Sequence, residues 1–232
     1  MFFGGIQKNS LIDYPGKMSC VLFLPGCNFS CPYCHNPELA KGDVPASNRI
    51  PPETAFDFLE SRRGLLDGVV ISGGEPTITA EIEEICRRIK KLGYPVKLDT
   101  NGSSPDVLDR LFAAGCVDYV AMDIKAPPAS YSPIITRSDV TEKIETSIRL
   151  IMSSGLKYEF RTTCIDPVAS PATILELSKS IKNAKLYILQ KLSKTILLDP
   201  EFFRRHPHQP NHSDLEKMRA MVAPMVETCV IR

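Results

Sequence analysis

Two rhythms alternate along this chain. Short runs of β-branched and apolar residues stand at Cys20 to Leu24 (CVLFL), Gly68 to Ser72 (GVVIS), Pro95 to Asp99 (PVKLD), Val117 to Asp123 (VDYVAMD), Tyr158 to Thr162 (YEFRT) and Leu186 to Gln190 (LYILQ). Between them run helical patterns, and the alternation predicts βα units on a parallel sheet. In residues 79 to 92, Ile82, Ile85, Cys86, Ile89 and Leu92 share one helical face, so Cys86 reads as core. Ser104-Pro105 and Ser170-Pro171 open two further helices as cap followed by proline. Leu108, Leu111 and Phe112 line the first of these, which Gly115 closes, and Ile174, Leu177 and Ile181 line the second.

Six such units predict an α/β fold of the partial, open TIM-type barrel class, with a mostly parallel curved sheet. A flat doubly wound sheet fits the same pattern, because sequence does not set strand order. The expected organisation is one domain over residues 1–232. Residues 1–18 form an N-terminal extension, 19–190 the barrel core, and 191–232 a C-terminal loop and helix. That last stretch holds the loop HPHQPNH, a helix from about Ser213 to Met225 and a short final run, CVIR.

Composition narrows the function classes. With 43% hydrophobic and 24% charged residues, the 232-residue chain is of ordinary globular type. Its 28 Lys and Arg against 27 Asp and Glu leave a net charge of +1, which gives no pull toward nucleic acid or an anionic membrane. MFFGGIQKNS lacks the basic and long apolar regions of a signal peptide. No apolar run reaches the ~18 residues of a membrane span. The expectation is a cytoplasmic protein, in which eight cysteines point to metal or catalytic use rather than disulfides.

Three of those cysteines cluster in GCNFSCPYCHN, where Cys27, Cys31 and Cys34 are spaced C-x3-C-x2-C. Structural zinc sites draw on two separated pairs of ligands, and no second pair lies near. His35 would complete a Cys3His set on paper, although adjacent residues ligate one ion with difficulty. Three thiolates from one loop suit a [4Fe-4S] cluster with one iron left for a non-protein ligand.

The other unusual polar residues follow the remaining predicted strands. GGEP (Gly73 to Pro76) ends the second, Asp99-Thr100-Asn101-Gly102 the third, Asp123-Ile124-Lys125 the fourth, Arg161 the fifth and Gln190 the sixth. The C-terminal edge of a parallel α/β barrel is where βα loops build active sites. Gly73 and Gly74 permit close backbone approach, and Pro76 biases Glu75 toward an extended conformation. For Asp123, Lys125 and Arg161 a salt-bridged barrel rim is the alternative reading.

C-x3-C-x2-C with Tyr33 before the third cysteine resembles the signature of the radical S-adenosylmethionine superfamily. The resemblance implies that Cys27, Cys31 and Cys34 hold the cluster and that S-adenosylmethionine chelates the fourth iron. Transfer of one electron would then cleave the sulfonium bond and give a 5′-deoxyadenosyl radical. It further implies a cofactor-binding set: Tyr33, Gly73, Gly74, Glu75, Pro76, Asp99, Thr100, Asn101, Asp123, Lys125, Arg161 and Gln190.

GGEP resembles the superfamily's methionine-binding motif, and DTNG and D-x-K resemble motifs of glycyl-radical-enzyme activases. Gly4 to Lys17 (GGIQKNSLIDYPGK) and LPGCNFSCPYCHNPELA are similar to anaerobic ribonucleoside-triphosphate reductase activating proteins, relatives of pyruvate formate-lyase activating enzyme. That likeness implies a glycyl radical enzyme as partner, the class III anaerobic ribonucleotide reductase, and a low-potential electron donor such as flavodoxin or ferredoxin. Cys86, Cys116, Cys164 and Cys229 stand singly, so one cluster is expected.

Two other readings remain open at this level. One is a small-molecule radical enzyme of the 7-carboxy-7-deazaguanine synthase type. The other is a non-catalytic iron-sulfur or zinc protein, for which GGEP, DTNG and DIK along one edge have no use. Cys164 near the site edge, and His206, His208 and His212 in a proline-punctuated loop, carry no assigned role.

Overall fold

The three-dimensional structure is a computed structural model describing residues 1–131, 135–192 and 197–232. Of the expected C-terminal segment 191–232, residues 193–196 lie outside the described residues. All six predicted strands form: β2 (Ser19–Leu24), β3 (Gly68–Gly73), β4 (Val96–Thr100), β5 (Tyr119–Asp123), β6 (Lys157–Cys164) and β7 (Tyr187–Lys191). Two more flank them, β1 (Gly5–Ser10) and β8 (Cys229–Ile231).

The sheet has the order β1-β2-β3-β4-β5-β6-β7-β8, so its two end strands do not meet and it is open. Pairs β2·β3, β3·β4, β6·β7 and β7·β8 are parallel, while β1 runs antiparallel to β2. This is the open, mostly parallel α/β class.

The count of six therefore falls short by the two edges. Residues 5–10, read as part of an extension, are a strand, GIQKNS, whose exposed Gln7, Lys8 and Asn9 show none of the apolar alternation that marks a buried strand. Charged and polar side chains are what an edge strand carries against unwanted pairing. CVIR becomes β8 because Cys229, Val230 and Ile231 register against Tyr187, Ile188 and Leu189, a length too short to register as a pattern.

Helices α1 (Pro37–Lys41), α2 (Pro52–Ser61), α3 (Ile82–Lys91), α4 (Pro105–Ala113), α5 (Thr141–Ser153), α6 (Pro171–Ser180), α7 (Pro200–Arg205) and α8 (His212–Val222) fill the connections. In α3 the expected stripe is real: Ile82, Ile85, Cys86 and Ile89 are buried, while Leu92 is half-buried. Glu83 and Glu84 in its first turn and Arg88, Lys90 and Lys91 in its last complement the helix dipole.

Ser170 caps α6 by accepting the Thr173 backbone N–H at 3.2 Å. Ser170→Ala is expected to lower stability by about 1 kcal/mol, read as a melting temperature about 2–4 °C lower. No helix among the described residues is long and apolar enough to cross a membrane.

The chain divides into two compact units. The first comprises Met1–Asn28, Asn36–Thr100 and Asp106–Val120. Its core joins Leu22, Leu24, Val69, Ile71, Val96 and Leu98 to the buried stripe of α3. The second comprises Phe29–His35, Asn101–Pro105 and Ala121–Arg232. There Phe160, Tyr187 and Leu189 are buried with Ile174 and Leu177 of α6 and Leu215, Met218 and Val222 of α8. Each such large apolar side chain contributes roughly 1.5–3 kcal/mol when fully buried.

Candidate active site

In the first unit the backbone decides the arrangement. At the end of β3, Gly73 has φ 127°, and a Cβ on it would stand 2.2 Å from the Leu24 carbonyl oxygen. A Cβ on Gly74 would stand 1.9 Å from the Gly26 carbonyl oxygen. The two chains touch because Gly74 N–H donates to Leu24 O at 2.9 Å and Glu75 N–H donates to Gly26 O at 2.8 Å.

The glycine pair is thus required by the strand end that leads into Cys27. Beyond it, Gly26 and Cys27 donate to Leu39 O and Ala40 O of α1 at 2.7 and 3.0 Å, which holds Cys27 between two backbone supports.

Glu75 is extended, at φ −129° and ψ 106°, as Pro76 demands. Its side chain is buried and works inside the protein. Oε1 accepts the Thr77 N–H at 3.0 Å, the Thr77 hydroxyl at 2.5 Å and the Thr100 hydroxyl at 2.8 Å. Glu75 therefore joins the ends of β3 and β4, and Thr100 serves the same junction. Next to it, Asp99 is paired with Lys97, a buried lysine two residues upstream.

In the second unit the charged residues gather around Cys31. Arg161 Nε donates to Asp123 Oδ1 at 2.7 Å, and Lys125 Nζ lies 3.6 Å from Asp123 Oδ2. Lys125 also sits over the Tyr33 ring, 5.9 Å from its centroid. The Tyr131 hydroxyl oxygen accepts the Lys125 backbone N–H at 3.0 Å, and the Tyr131 ring packs on Phe29 at 5.9 Å. Asn101 Oδ1 accepts the Ser103 N–H at 2.9 Å, and Gln190 on β7 is half-buried opposite Thr163 of β6. Lys125 and Arg161 are thus both paired with Asp123, as the rim reading has it, and Lys125 and Asp123 also stand beside Cys31.

Electrostatics follow from burial. Burial pushes the Cys31 thiol up, against the opposing pull of the Lys125 ammonium and a hydrogen bond from Tyr33. Burial also disfavours the Lys125 ammonium, but Asp123, Tyr33 and Cys31 around it outweigh that, and its pKa is held well above the ordinary lysine value. Lys125 is therefore a standing cation beside the cysteine loop, able to face an anionic group.

The cysteines fit an iron-sulfur group in donor chemistry. None of Cys27, Cys31 and Cys34 is in a disulfide, and Cys27 and Cys34 are half-buried rather than sealed off. Among the described residues no three His, Cys, Asp or Glu side chains converge on a single-ion site. A four-iron cluster takes one thiolate per iron, a wider spacing than the four ligands of one zinc ion.

Cys86 and Cys164 are buried, and burial lifts each thiol to about 12, so both are inert core groups. His206 Nδ1 is 2.9 Å from Phe202 O and its ring packs on Phe202, while His212 lies 3.8 Å from Glu216. Sequence reading passed over Lys97, Glu159 and Tyr131. A charge inside an otherwise apolar strand run is the signal that would have exposed the first two.

Comparison with known proteins agrees with the sequence likeness. Residues 21–178 match the Radical SAM superfamily. A protein of Methanocaldococcus jannaschii, which carries the provisional name glycyl-radical enzyme activating enzyme, is 35% identical over 98% of this chain and 94% of its own length. The 7-carboxy-7-deazaguanine synthase of Methanothermobacter thermautotrophicus is 31% identical over 66% of this chain and 63% of its own.

Among solved structures, Streptococcus suis SuiB bound to S-adenosylmethionine superposes with a TM-score of 0.67 at 14% identity. That likeness covers 91% of this chain and 51% of SuiB, and it speaks for the fold. The chain therefore belongs to the radical SAM superfamily, and within it to the glycyl-radical enzyme activating enzymes.

Proposed function

We propose that this protein reductively cleaves S-adenosylmethionine and thereby generates a glycyl radical on a partner enzyme, a class III anaerobic ribonucleoside-triphosphate reductase. Cys27, Cys31 and Cys34 hold a [4Fe-4S] cluster, which supplies the low-potential electron and a coordination site for the methionine end of the cofactor. The chain's own residues bind and orient. Lys125 offers an ammonium to a carboxylate, Asp123 and Asp99 offer acceptors to hydroxyl groups, and the Gly73–Pro76 turn presents backbone groups. Tyr33, Thr100, Asn101, Arg161 and Gln190 complete the set. The electron comes from a flavodoxin or ferredoxin.

The single observation that carries this reading is the gathering of Lys125 and Asp123 beside Cys31 and Tyr33, with Arg161 donating to Asp123, so that a cation and a carboxylate stand against the cysteine loop. The nearly full-length likeness to a glycyl-radical enzyme activating enzyme supports the partner class. The choice of reductase as partner rests on the sequence likeness of residues 4–17 and of the loop around the cysteines. The deazaguanine synthase likeness, over two thirds of this chain, favours the small-molecule reading less.

The test is anaerobic. Reconstituted, reduced protein with S-adenosylmethionine is expected to release 5′-deoxyadenosine. With the anaerobic reductase of the same organism present, a glycyl radical signal is expected on the reductase by electron paramagnetic resonance. Cleavage without that signal for any glycyl radical enzyme of the organism would sink the partner assignment, and turnover of a pterin without a partner protein would install the other reading.

A further inference from the structure

Lys97 is 1% exposed, in the middle of β4. Its register partner on β3 is Val70, which in turn registers with Val21 of β2, so the three lie in one row across the sheet. Val21, Val70, Tyr14 and Tyr119 form a buried apolar cluster at this level, and the Lys97 ammonium lies 5.9 Å from the Tyr119 ring centroid. A charge in such a layer is expensive to desolvate, and a buried ion pair adds little stability over apolar residues of similar volume. Stability alone therefore does not account for it.

The partner does. Residues i and i+2 of a strand share a face, and Lys97 Nζ donates to Asp99 Oδ1 at the C-terminal end of the same strand. The second unit holds a looser arrangement of the opposite sign. Glu159, 1% exposed on β6, has Oε1 3.5 Å from Nη1 of Arg232 and 3.8 Å from Nη1 of Arg161, two residues downstream at the site end. In each case a charged residue of the proposed cofactor set has an opposite, buried charge one step back along its own strand.

We propose that Lys97 is a positioning residue, whose buried ammonium fixes the Asp99 carboxylate in the orientation from which it receives S-adenosylmethionine. This rests on the reading of Asp99 as a cofactor residue. Lys97 does not touch the cofactor; it acts through Asp99, as outer-shell partners do for metal ligands.

The test measures equilibrium S-adenosylmethionine binding by calorimetry on the cluster-loaded protein, with iron content and melting temperature recorded alongside. Lys97→Met and Asp99→Asn are each expected to weaken binding about 10- to 100-fold, the range outer-shell supports command. The double variant, which leaves no orphan charge to unfold the protein, is expected to bind no worse than Asp99→Asn alone. Lys97→Arg is expected to recover most of the affinity.

Lys97→Met effects that multiply with those of Asp99→Asn, or a lowered melting temperature with undiminished affinity, would overturn the positioning role. So would Asp99→Asn binding like the native protein, which removes Asp99 from the cofactor set. Failure of the native, cluster-loaded protein to bind S-adenosylmethionine would instead overturn the proposed function and this inference with it.

Discussion

Alanine in place of Cys27, Cys31 or Cys34 is expected to leave a folded protein that retains no four-iron cluster and releases 5′-deoxyadenosine only at the uncatalysed background. The three positions lie in loop backbone, outside the regular elements, and only Cys31 is buried. Substitution there therefore removes a ligand without opening a large cavity. With one thiolate missing, two protein ligands remain for a group that needs three, and iron and its visible absorbance should both be lost after reconstitution.

Cys86→Ala is the matched control. Its thiol belongs to the buried face of α3, so it should cost about 1 kcal/mol of stability and no iron. Iron retained by Cys31→Ala, or zinc in place of iron in the native protein, would remove the cluster from the mechanism.

The second large effect is structural. Gly74→Ala is expected to destabilise the protein by about 3 kcal/mol, with a melting temperature lower by about 10 °C. The new methyl would meet the Gly26 carbonyl at 1.9 Å, and its neighbours there are backbone, which has no side-chain rotamer to relieve the overlap. The strand ends must part, and the hydrogen bonds from Gly74 and Glu75 to Leu24 O and Gly26 O weaken together. Since Gly26 precedes Cys27, iron retention should fall as well.

Gly5→Ala on β1 makes the comparison. Its nearest neighbour would be a Phe23 side-chain atom at 3.5 Å, ordinary contact, so its effect should stay within about 0.5 kcal/mol. Equal melting temperatures for the two variants would show that the ends of β2 and β3 have room to part at little cost.

How much of this was legible beforehand depends on whether a feature is local. The central strands were, because an apolar run of five to seven residues between helical patterns needs no partner to be recognised. The helix openings at Ser104-Pro105 and Ser170-Pro171 and the buried stripe of α3 were legible for the same reason. The cysteine spacing and the placing of GGEP, DTNG, DIK and Arg161 after successive strands pointed to one edge of the sheet, since parallel connection puts every such loop at the same end.

What the sequence determined by itself is therefore periodicity, strand count in the core, and the chemistry available at strand ends. Tertiary structure alone decided which groups meet. β1 and β8 became strands because neighbouring strands offered them hydrogen-bonding edges, not because their own residues demand it. GGEP announced a close backbone approach, yet that its partner is the strand end entering Cys27 is a fact of packing. That the Glu75 carboxylate bonds to Thr77 and Thr100, and so ties the ends of β3 and β4, is likewise a fact of packing. Lys97 passed for one residue of a strand until its ammonium was found buried against Asp99. Contacts between residues distant in sequence, and the burial that gives a charge its meaning, exist only once the chain has folded.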